Sequence, residues 1–352
     1  MNLSKAGGSL GIIVALIVFS IIILFHEFGH FLLAKKNGVG VTEFALGMGP
    51  ILFSFKRGET VYALKALPLG GSCSMVGEDT DETGDNSFNS KGVWQRFSVI
   101  AAGPVFNFIL AFVFAVILVS IVGFDTPVVY KVEEGGPAWE AGIRDGDVIQ
   151  SVNGKKVHMY KEFRIEVLMN SGGAPMEMVL SRNGSTYGTT VTPELGSDGT
   201  YKIQIYGGQY ERTGVLDTLK YSVFEVRYWI TTTVRSLGML ITGQVSANDL
   251  SGPVGIVDMI DDTYQEARSY GWLDVLLNMM NICILLSANL GVVNLLPIPA
   301  LDGGRLVFLI VEAVRGKPVP PEKEGWVHTI GFALLMVLMV FILYNDIHKL
   351  LL

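Results

Sequence analysis

Four long apolar stretches limit what this chain can fold into. They cover about 10–33, 97–124, 275–301 with a continuation at 306–314, and 326–344. Each is long enough to cross roughly 30 Å of hydrocarbon as a helix. Half of the 352 residues are hydrophobic and only 17% are charged, which is too apolar for an ordinary soluble protein. We expect a polytopic α-helical membrane protein with about four transmembrane helices.

The first stretch has an alternative interpretation as a cleaved signal peptide, because Lys5 precedes an apolar run. Against this, the run continues into "FLLAKK" at 31–36 without a small-residue cleavage site. Cleavage would also remove or truncate a histidine-containing segment, "HEFGH" at 26–30. We expect the segment to be a transmembrane helix.

Lysine and arginine mark the cytoplasmic ends of spans. The segment 35–96 carries seven of them and 305–325 carries four. Both segments lie on one side only if both termini and the long segment 125–272 lie outside. This predicts a multi-pass protein of the cell membrane. The net charge of −7 and the lack of a long basic run argue against a nucleic-acid partner.

Four domains follow from this pattern. A β-hairpin is predicted at about 50–72, where apolar residues alternate on both sides of a turn at 56–58, and its apolar content suggests that it lies against the membrane on the cytoplasmic side. The predicted domains are 1–124, with two spans and this hairpin; 125–207, an extracytoplasmic α+β insert; 208–272, an amphipathic or interfacial helical linker; and 273–352, with two spans.

The insert mixes short β-rich runs with turn residues and one helical run near 160–170. Its "GGPAWEAGIRDGDVIQSVNGKKV" at 135–157 resembles the PDZ modules of bacterial envelope proteases, which implies docking of peptide ends by strand addition. A small β-rich spacer is the alternative. In the linker, 215–244 has apolar residues at helical spacing, which fits an interfacial helix or a packing helix equally well.

"HEFGH" places ionisable groups where a membrane makes them costly. On a helix, His26 and His30 lie one turn apart on the same face, so both imidazoles can reach one ion. Zinc in catalytic sites takes three protein ligands and a water, and Glu27 stands beside the pair to take a proton from that water. The alternative is two histidines that are satisfied by packing in a helix bundle.

A third ligand candidate comes from "NLGVVNLLPIPALDGGRL" at 289–306, where Asp302 is the only charged residue between Asp274 and Arg305. Pro297 and Pro299 cannot continue a helix, so the span must break just before Asp302. Irregular backbone at membrane depth is tolerated where it is buried or lines a cavity.

The depths of these groups agree. The histidine pair lies roughly 7–14 Å inside the cytoplasmic end of the first span, at about 1.5 Å per residue. Asp302 precedes the basic residues at the cytoplasmic end of the third span. The sequence therefore allows a zinc site of His26, His30 and Asp302 in the cytoplasmic half of the bilayer.

Taken in order, several motifs resemble the site-2 protease family of intramembrane zinc metalloproteases, in its bacterial RseP/RasP-like group. The motifs are "HEFGH", "AAGPVFN" at 101–107, the PDZ-like insert, "SGPVGI" at 251–256 and "NLLPIPALDGG" at 294–304. The resemblance covers nearly the whole chain. Two small departures, Met48 and the run "GGSCSMVGED" at 70–79, bear on substrate preference more than on catalysis.

The resemblance implies a Zn²⁺ cofactor with His26, His30 and Asp302 as ligands and Glu27 as the general base. It implies that Asn294, with Pro297 and Pro299, clamps a substrate strand, and that the hairpin pairs with an unwound substrate. The implied partners are the lipid bilayer and single-span transmembrane proteins, among them anti-sigma factors and signal-peptide remnants, after an upstream site-1-type protease has shortened them.

Two functions from other classes compete with intramembrane proteolysis. A membrane peptide-binding scaffold or chaperone with structural zinc would not need Glu27. A metal-ion transporter would need polar residues across the other half of the bilayer, where the first span offers only Ser20. The sequence therefore favours a zinc endopeptidase.

Overall fold

The computed structural model describes residues 9–78, 84–197, 199–244 and 251–351. The chain forms two compact units, each described by itself below. The first comprises Met1–Phe114 and Trp229–Leu352, and the second is Ala115–Tyr228.

Four helices of the described chain are long and apolar enough to cross a membrane, as predicted: Leu10–Lys36, Val93–Val122, Trp272–Asn294 and Glu322–Lys349. The helices in chain order are α1 Ser9–Lys36, α2 Val93–Val122, α3 Pro137–Glu140, α4 Tyr160–Leu168, α5 Val215–Ile241, α6 Pro253–Arg268, α7 Trp272–Asn294, α8 Asp302–Arg315 and α9 Pro321–Leu351. The predicted break in the third span is confirmed, because α7 ends at Asn294 and α8 begins at Asp302.

The predicted hairpin is confirmed but is longer than 50–72. Its strands are β1 Val41–Arg57 and β2 Thr60–Met75, and the turn lies at residues 58–59 rather than 56–58, with Gly58 at φ +63°. Both strands fold back along their length, so residues 43–46 lie between two segments of β2, 61–64 and 71–74, and pair with both. The hairpin is thus wider than two simple strands, and residues 71–74 lie along one border of it.

Helix α6 lies within the predicted linker 208–272, yet it packs against α1 and α7. Its Ile260 and Tyr264 are buried in one cluster with Ala15 of α1 and Met279 of α7. The N-terminus of α6 is held by Asp346 of α9, which accepts hydrogen bonds from two main-chain N–H groups of the "SGPVGI" motif, at 3.0 and 2.9 Å. This segment therefore contributes to the helical core of the first unit.

The second unit is α+β and is built around a four-stranded antiparallel sheet. Its strands are β3 Phe124–Asp125, β4 Val129–Val132, β5 Val148–Val152, β6 Lys155–Lys156, β7 Met176–Arg182, β8 Ser185–Val191, β9 Glu194–Leu195, β10 Tyr201–Lys202, β11 Ile205–Gly207 and β12 Tyr210–Glu211. The sheet has the order β6-β5-β7-β8. The buried core of the unit includes Ile143, Ile149, Phe163, Met178 and Leu180.

A buried carboxylate and its hydrogen-bond partners stabilise this unit. Asp147 is fully buried and accepts hydrogen bonds from Arg182, Tyr187 and the main-chain N–H of Arg144. Burial opposes ionisation of Asp147, but these bonds outweigh it and hold its pKa below the usual value. Asp147 is therefore ionised throughout the neutral range.

The start of α5 also belongs to the second unit, which extends beyond the predicted 125–207. Glu225 of α5 is buried and pairs with Lys161 of α4 at 2.7 Å. The main-chain N–H of Lys161 donates to Asp125 at 2.6 Å. Burial lowers the pKa of Lys161, but its two acidic neighbours raise it above the usual value, so the lysine is charged.

Candidate metal centre

The structure brings the three predicted ligands together. His26 and His30 lie one turn apart on α1, and their Nε2 atoms are 3.3 Å from each other. Asp302, the first residue of α8, places Oδ2 at 3.3 Å from His26 Nε2 and at 3.5 Å from His30 Nε2. Three side chains from two distant parts of the sequence thus present one atom each to a common point.

The size of this triangle fits zinc. A tetrahedral zinc with ligands at roughly 2.0–2.1 Å separates neighbouring ligand atoms by about 3.4 Å. The three observed separations, 3.3 to 3.5 Å, match this value. Asp302 Oδ2 is also buried and accepts no assigned hydrogen bond within the described residues, although a buried acceptor normally has a partner. His26, His30 and Asp302 can therefore hold a metal ion.

A hydrogen bond at His30 Nδ1 supports a role for His30 as a metal ligand. Its Nδ1 lies 2.9 Å from the carbonyl oxygen of Val99, which can only accept, so Nδ1 carries the hydrogen. The Nε2 atom is then left with a lone pair that faces Asp302. This is the tautomer that a metal ligand needs.

Two glycines allow the helices to approach at this point. A Cβ on Gly103 of α2 would lie 2.3 Å from His30 Nε2 and 2.7 Å from His26 Cε1. A Cβ on Gly29 of α1 would lie 2.5 Å from the carbonyl oxygen of Ala102. All three distances are far inside van der Waals contact, so a larger residue at either position would force the neighbouring atoms to move. The α2 backbone therefore closes one side of the imidazole pair.

The loop that leads into Asp302 is held from two sides. A Cβ on Gly303 would lie 2.1 Å from the carbonyl oxygen of Leu296, so the loop folds back onto the first turn of α8. Helix α9 approaches the loop at Gly331, where a Cβ would lie 2.3 Å from Pro299 Cβ. The loop is thus packed against its own helix and against α9.

A side-chain contact from α9 adds to this packing. His328 Nδ1 accepts the main-chain N–H of Ala300 at 2.9 Å. Ala300 has a φ of +75°, a left-handed conformation that an alanine rarely adopts. The hydrogen bond from Ala300 therefore helps to hold a strained residue two positions before Asp302.

Glu27 lies beside the hairpin. A Cβ on Gly71 of β2 would lie 2.8 Å from Glu27 Cγ, so the strand passes directly against the glutamate stem. The Glu27 carboxylate is close enough to His26, His30 and Asp302 to interact with them electrostatically. Glu27 is therefore next to the candidate metal centre and next to one border of the hairpin.

The three predicted substrate-binding residues lie at the end of α7 and in the loop between α7 and α8. Asn294 is half-buried at the last residue of α7, and Pro297 is exposed in the loop that follows. Pro299 is half-buried and packs against Gly331. The loop that contains these residues leads directly into Asp302.

Three residues near the centre have roles that the sequence alone does not reveal. Gly103 and Asn107 belong to the "AAGPVFN" motif, and Asn107 lies 3.2 Å from His26 Nδ1. His328 belongs to no motif, and its sequence context suggests only a surface or interface residue. The spacing of Val99, Gly103 and Asn107, four residues apart on one face of a span, is the available signal.

Long apolar helices that carry a His-His-Asp centre, in which His30 is buried and His26 and Asp302 are half-buried, with a glutamate beside it, define a membrane-embedded metallohydrolase. Comparison with known proteins agrees: the model of peptidase family M50 matches residues 14–338. The chain is 35% identical to the regulator of sigma-W protease RasP of Bacillus subtilis, over 96% of this chain and 98% of that protein. It is 34% identical to the zinc metalloprotease RasP of Bacillus licheniformis, over 96% and 99%.

The chain belongs to peptidase family M50, in the RasP-like group of site-2 intramembrane proteases. It is a zinc metalloprotease and a multi-pass membrane protein. Among solved structures, the PDZ domain of the SdrC-like protein of Listeria monocytogenes covers 24% of this chain and 88% of its own, with 19% identity and a TM-score of 0.22.

Proposed function

We propose that His26, His30 and Asp302 hold the catalytic zinc and that Glu27 is the general base for peptide-bond hydrolysis inside the membrane. The observation that carries this proposal is the triangle of His26 Nε2, His30 Nε2 and Asp302 Oδ2, whose sides of 3.3 to 3.5 Å suit tetrahedral zinc. Glu27 follows the first ligand directly in the sequence and lies within electrostatic reach of all three.

Zinc in such a site polarises a peptide carbonyl and lowers the pKa of a bound water towards about 7. The Glu27 carboxylate takes a proton from the attacking water and returns it to the amine that leaves. Asp302 and the two imidazoles are held by α1, by the α2 backbone and by the packed loop, so the ligand geometry is in place before substrate arrives.

A transmembrane substrate must unwind before its peptide bonds can be hydrolysed, because a helix already uses its backbone hydrogen-bonding groups. Residues 71–74 of β2 offer replacement partners. They pair with 43–46 along one side, and no third segment of the described chain pairs along the other. This border adjoins Glu27, so a substrate strand added here passes the catalytic base.

An apolar groove supports the approach of a substrate helix. It has a volume of about 310 Å³ and lies along α1, less than one turn before Glu27. Its lining is Ile13, Leu16, Ile17, Ser20, Ile21, Leu24 and Leu46. On the other side of the centre, the Asn294 amide and the loop with Pro297 and Pro299 clamp the unwound strand.

The catalytic centre lies in the cytoplasmic half of the bilayer, and the unit around 125–207 is an extracytoplasmic PDZ-like domain. The bias of lysine and arginine towards 35–96 and 305–325 supports this orientation. The PDZ-like domain admits short extracytoplasmic stubs or docks their ends, so cleavage follows an earlier cut by a site-1-type protease.

The substrates are single-span membrane proteins. The B. subtilis relative is named a regulator of sigma-W protease, which makes anti-sigma factors the first candidates for this chain. Signal-peptide remnants are the second, because they too are short apolar helices with little mass outside the membrane.

The test is reconstitution in liposomes with a panel of single-span substrates, each supplied intact and with its extracytoplasmic domain removed. We expect cleavage within the transmembrane segment of the shortened forms, loss of cleavage with a chelator and recovery with zinc. Equal cleavage of intact and shortened forms would contradict the requirement for an earlier cut. A protein that binds zinc and these substrates but cuts none of them would be a scaffold.

A further inference from the structure

The side chain of Asn107 faces the back of the candidate metal centre. It is completely buried on α2, and its amide nitrogen lies 3.2 Å from Nδ1 of His26. The Nε2 atom of the same imidazole faces Asp302. Asn107 therefore contacts the one ring nitrogen of His26 that is directed away from the centre.

Three positions on one face of α2 accompany the two imidazoles of α1. Val99 accepts a hydrogen bond from His30 Nδ1, Gly103 leaves room for both rings, and Asn107 meets His26 Nδ1. The three are four residues apart, as one helical stripe requires. Residues 99–107 of α2 thus present one face that fits the ligand pair.

The tautomer of a metal-binding histidine determines which end of the Asn107 amide can hydrogen-bond to His26 Nδ1. When His26 Nε2 donates its lone pair to a metal, Nδ1 carries the hydrogen and needs an acceptor. An amide nitrogen cannot accept, whereas the Oδ1 atom of the same side chain can. The two ends have the same shape, so a rotation of roughly 180° about the last side-chain bond exchanges them at little steric cost.

The other contacts of Asn107 do not choose between these orientations. Its Oδ1 is buried without an assigned partner within the described residues, and after the exchange the amide nitrogen takes that place. One end is therefore unpaired in both cases. The backbone carbonyl of Asn107 accepts the Ser287 hydroxyl of α7 at 2.8 Å, and that bond does not depend on the side chain.

We propose that Asn107 is a positioning residue that presents Oδ1 to the His26 Nδ1–H, fixing the tautomer and the ring orientation in which Nε2 binds the metal. The proposal rests on the proposed function, since it assumes zinc at His26, His30 and Asp302. Removal of a group that hydrogen-bonds to a metal ligand typically lowers metal affinity by about 10–100-fold.

The test compares Asn107→Leu with Asn107→Asp in the full-length protein in detergent. Leucine has a similar size but no acceptor, whereas aspartate restores an acceptor for Nδ1–H. Zinc affinity is measured by competition with a chelator, and the cobalt-substituted protein gives a visible spectrum that reports ligand geometry. Ser287→Ala is the matched control, because it removes a hydrogen bond to Asn107 without touching His26.

We expect Asn107→Leu to weaken zinc binding by about 10–100-fold and to alter the cobalt spectrum. Asn107→Asp should stay within a few-fold of wild type, as should Ser287→Ala. Equal loss in the leucine and aspartate variants, or wild-type affinity in the leucine variant, would overturn the role of Asn107.

His26→Ala separates this outcome from failure of the proposed function. If wild type and His26→Ala bind zinc equally, the metal is not at this centre and the proposed function fails. If His26→Ala loses zinc while Asn107→Leu keeps it, the centre stands and only the role of Asn107 fails. If the leucine variant does not fold, loss of zinc by a folded aspartate variant still overturns the proposal.

Discussion

Gly103→Ala tests how closely α2 is fitted to the metal ligands. The added Cβ would lie 2.3 Å from His30 Nε2, and an ordinary contact requires at least 3.4 Å, so the imidazole or the helix must move by about 1 Å. Metal–ligand distances tolerate deviations of only about 0.2 Å. We therefore expect zinc affinity to fall by at least about tenfold and cleavage to fall with it.

The effect of Gly103→Ala on folding should be modest, with a net cost of about 0–2 kcal/mol. Alanine in a helix is more favourable than glycine by about 1 kcal/mol, which offsets part of an overpacking cost of about 1–3 kcal/mol. The assay is chelator competition for zinc, with cleavage measured in parallel. Gly238→Ala on α5 is the control, because nothing lies within 4 Å of its added Cβ. Wild-type zinc affinity in Gly103→Ala would refute the close fit.

Three further predictions concern the surroundings of the centre. His328→Leu removes the acceptor for the Ala300 N–H, so hydrogen exchange at Ala300 should speed up about fivefold, whereas His328→Asn should preserve it; equal rates would contradict the anchoring role. Gly71→Ala pushes a Cβ against Glu27 and should reduce cleavage while zinc content stays unchanged; unchanged cleavage would contradict the contact. Asp147→Ala should destabilise the second unit by about 1–3 kcal/mol, seen as faster amide exchange in β5 and β7. Folding lowers the pKa of Asp147, so the ionised carboxylate stabilises the unit above the unfolded-state pKa of about 4. This stabilisation is lost as the pH falls below about 4, and the Asp147→Ala variant should not show that loss.

The sequence predicts much of the helical unit because its signals are local. Long apolar runs, the two prolines before Asp302 and the i, i+4 histidines each act within one element, and the structure shows four long apolar helices, the break after Asn294 and the paired imidazoles. The distances in sequence from the basic residues predict that Asp302 lies at the same depth in the membrane as His26 and His30.

The remaining features depend on contacts between elements that are far apart in the sequence. The double pairing of residues 43–46 arises because both strands of the hairpin fold back along their length, which alternation alone cannot reveal. Gly103 and Asn107 matter only because α2 crosses α1 at the histidines, and His328 only because α9 packs on the loop before Asp302. The sequence does not reveal that the start of α5 belongs to the second unit, because the ion pair of Lys161 with Glu225 joins residues that are far apart in the sequence.

The most direct test of hydrolysis at this centre is Glu27→Gln, measured for zinc content and for cleavage of a shortened single-span substrate in liposomes. Glutamine keeps the size of the side chain but cannot take a proton from water. We predict that the variant retains one zinc per chain at wild-type affinity and loses cleavage by at least about 100-fold. Cleavage at the wild-type rate by the zinc-loaded variant would contradict the assignment of Glu27 as the general base.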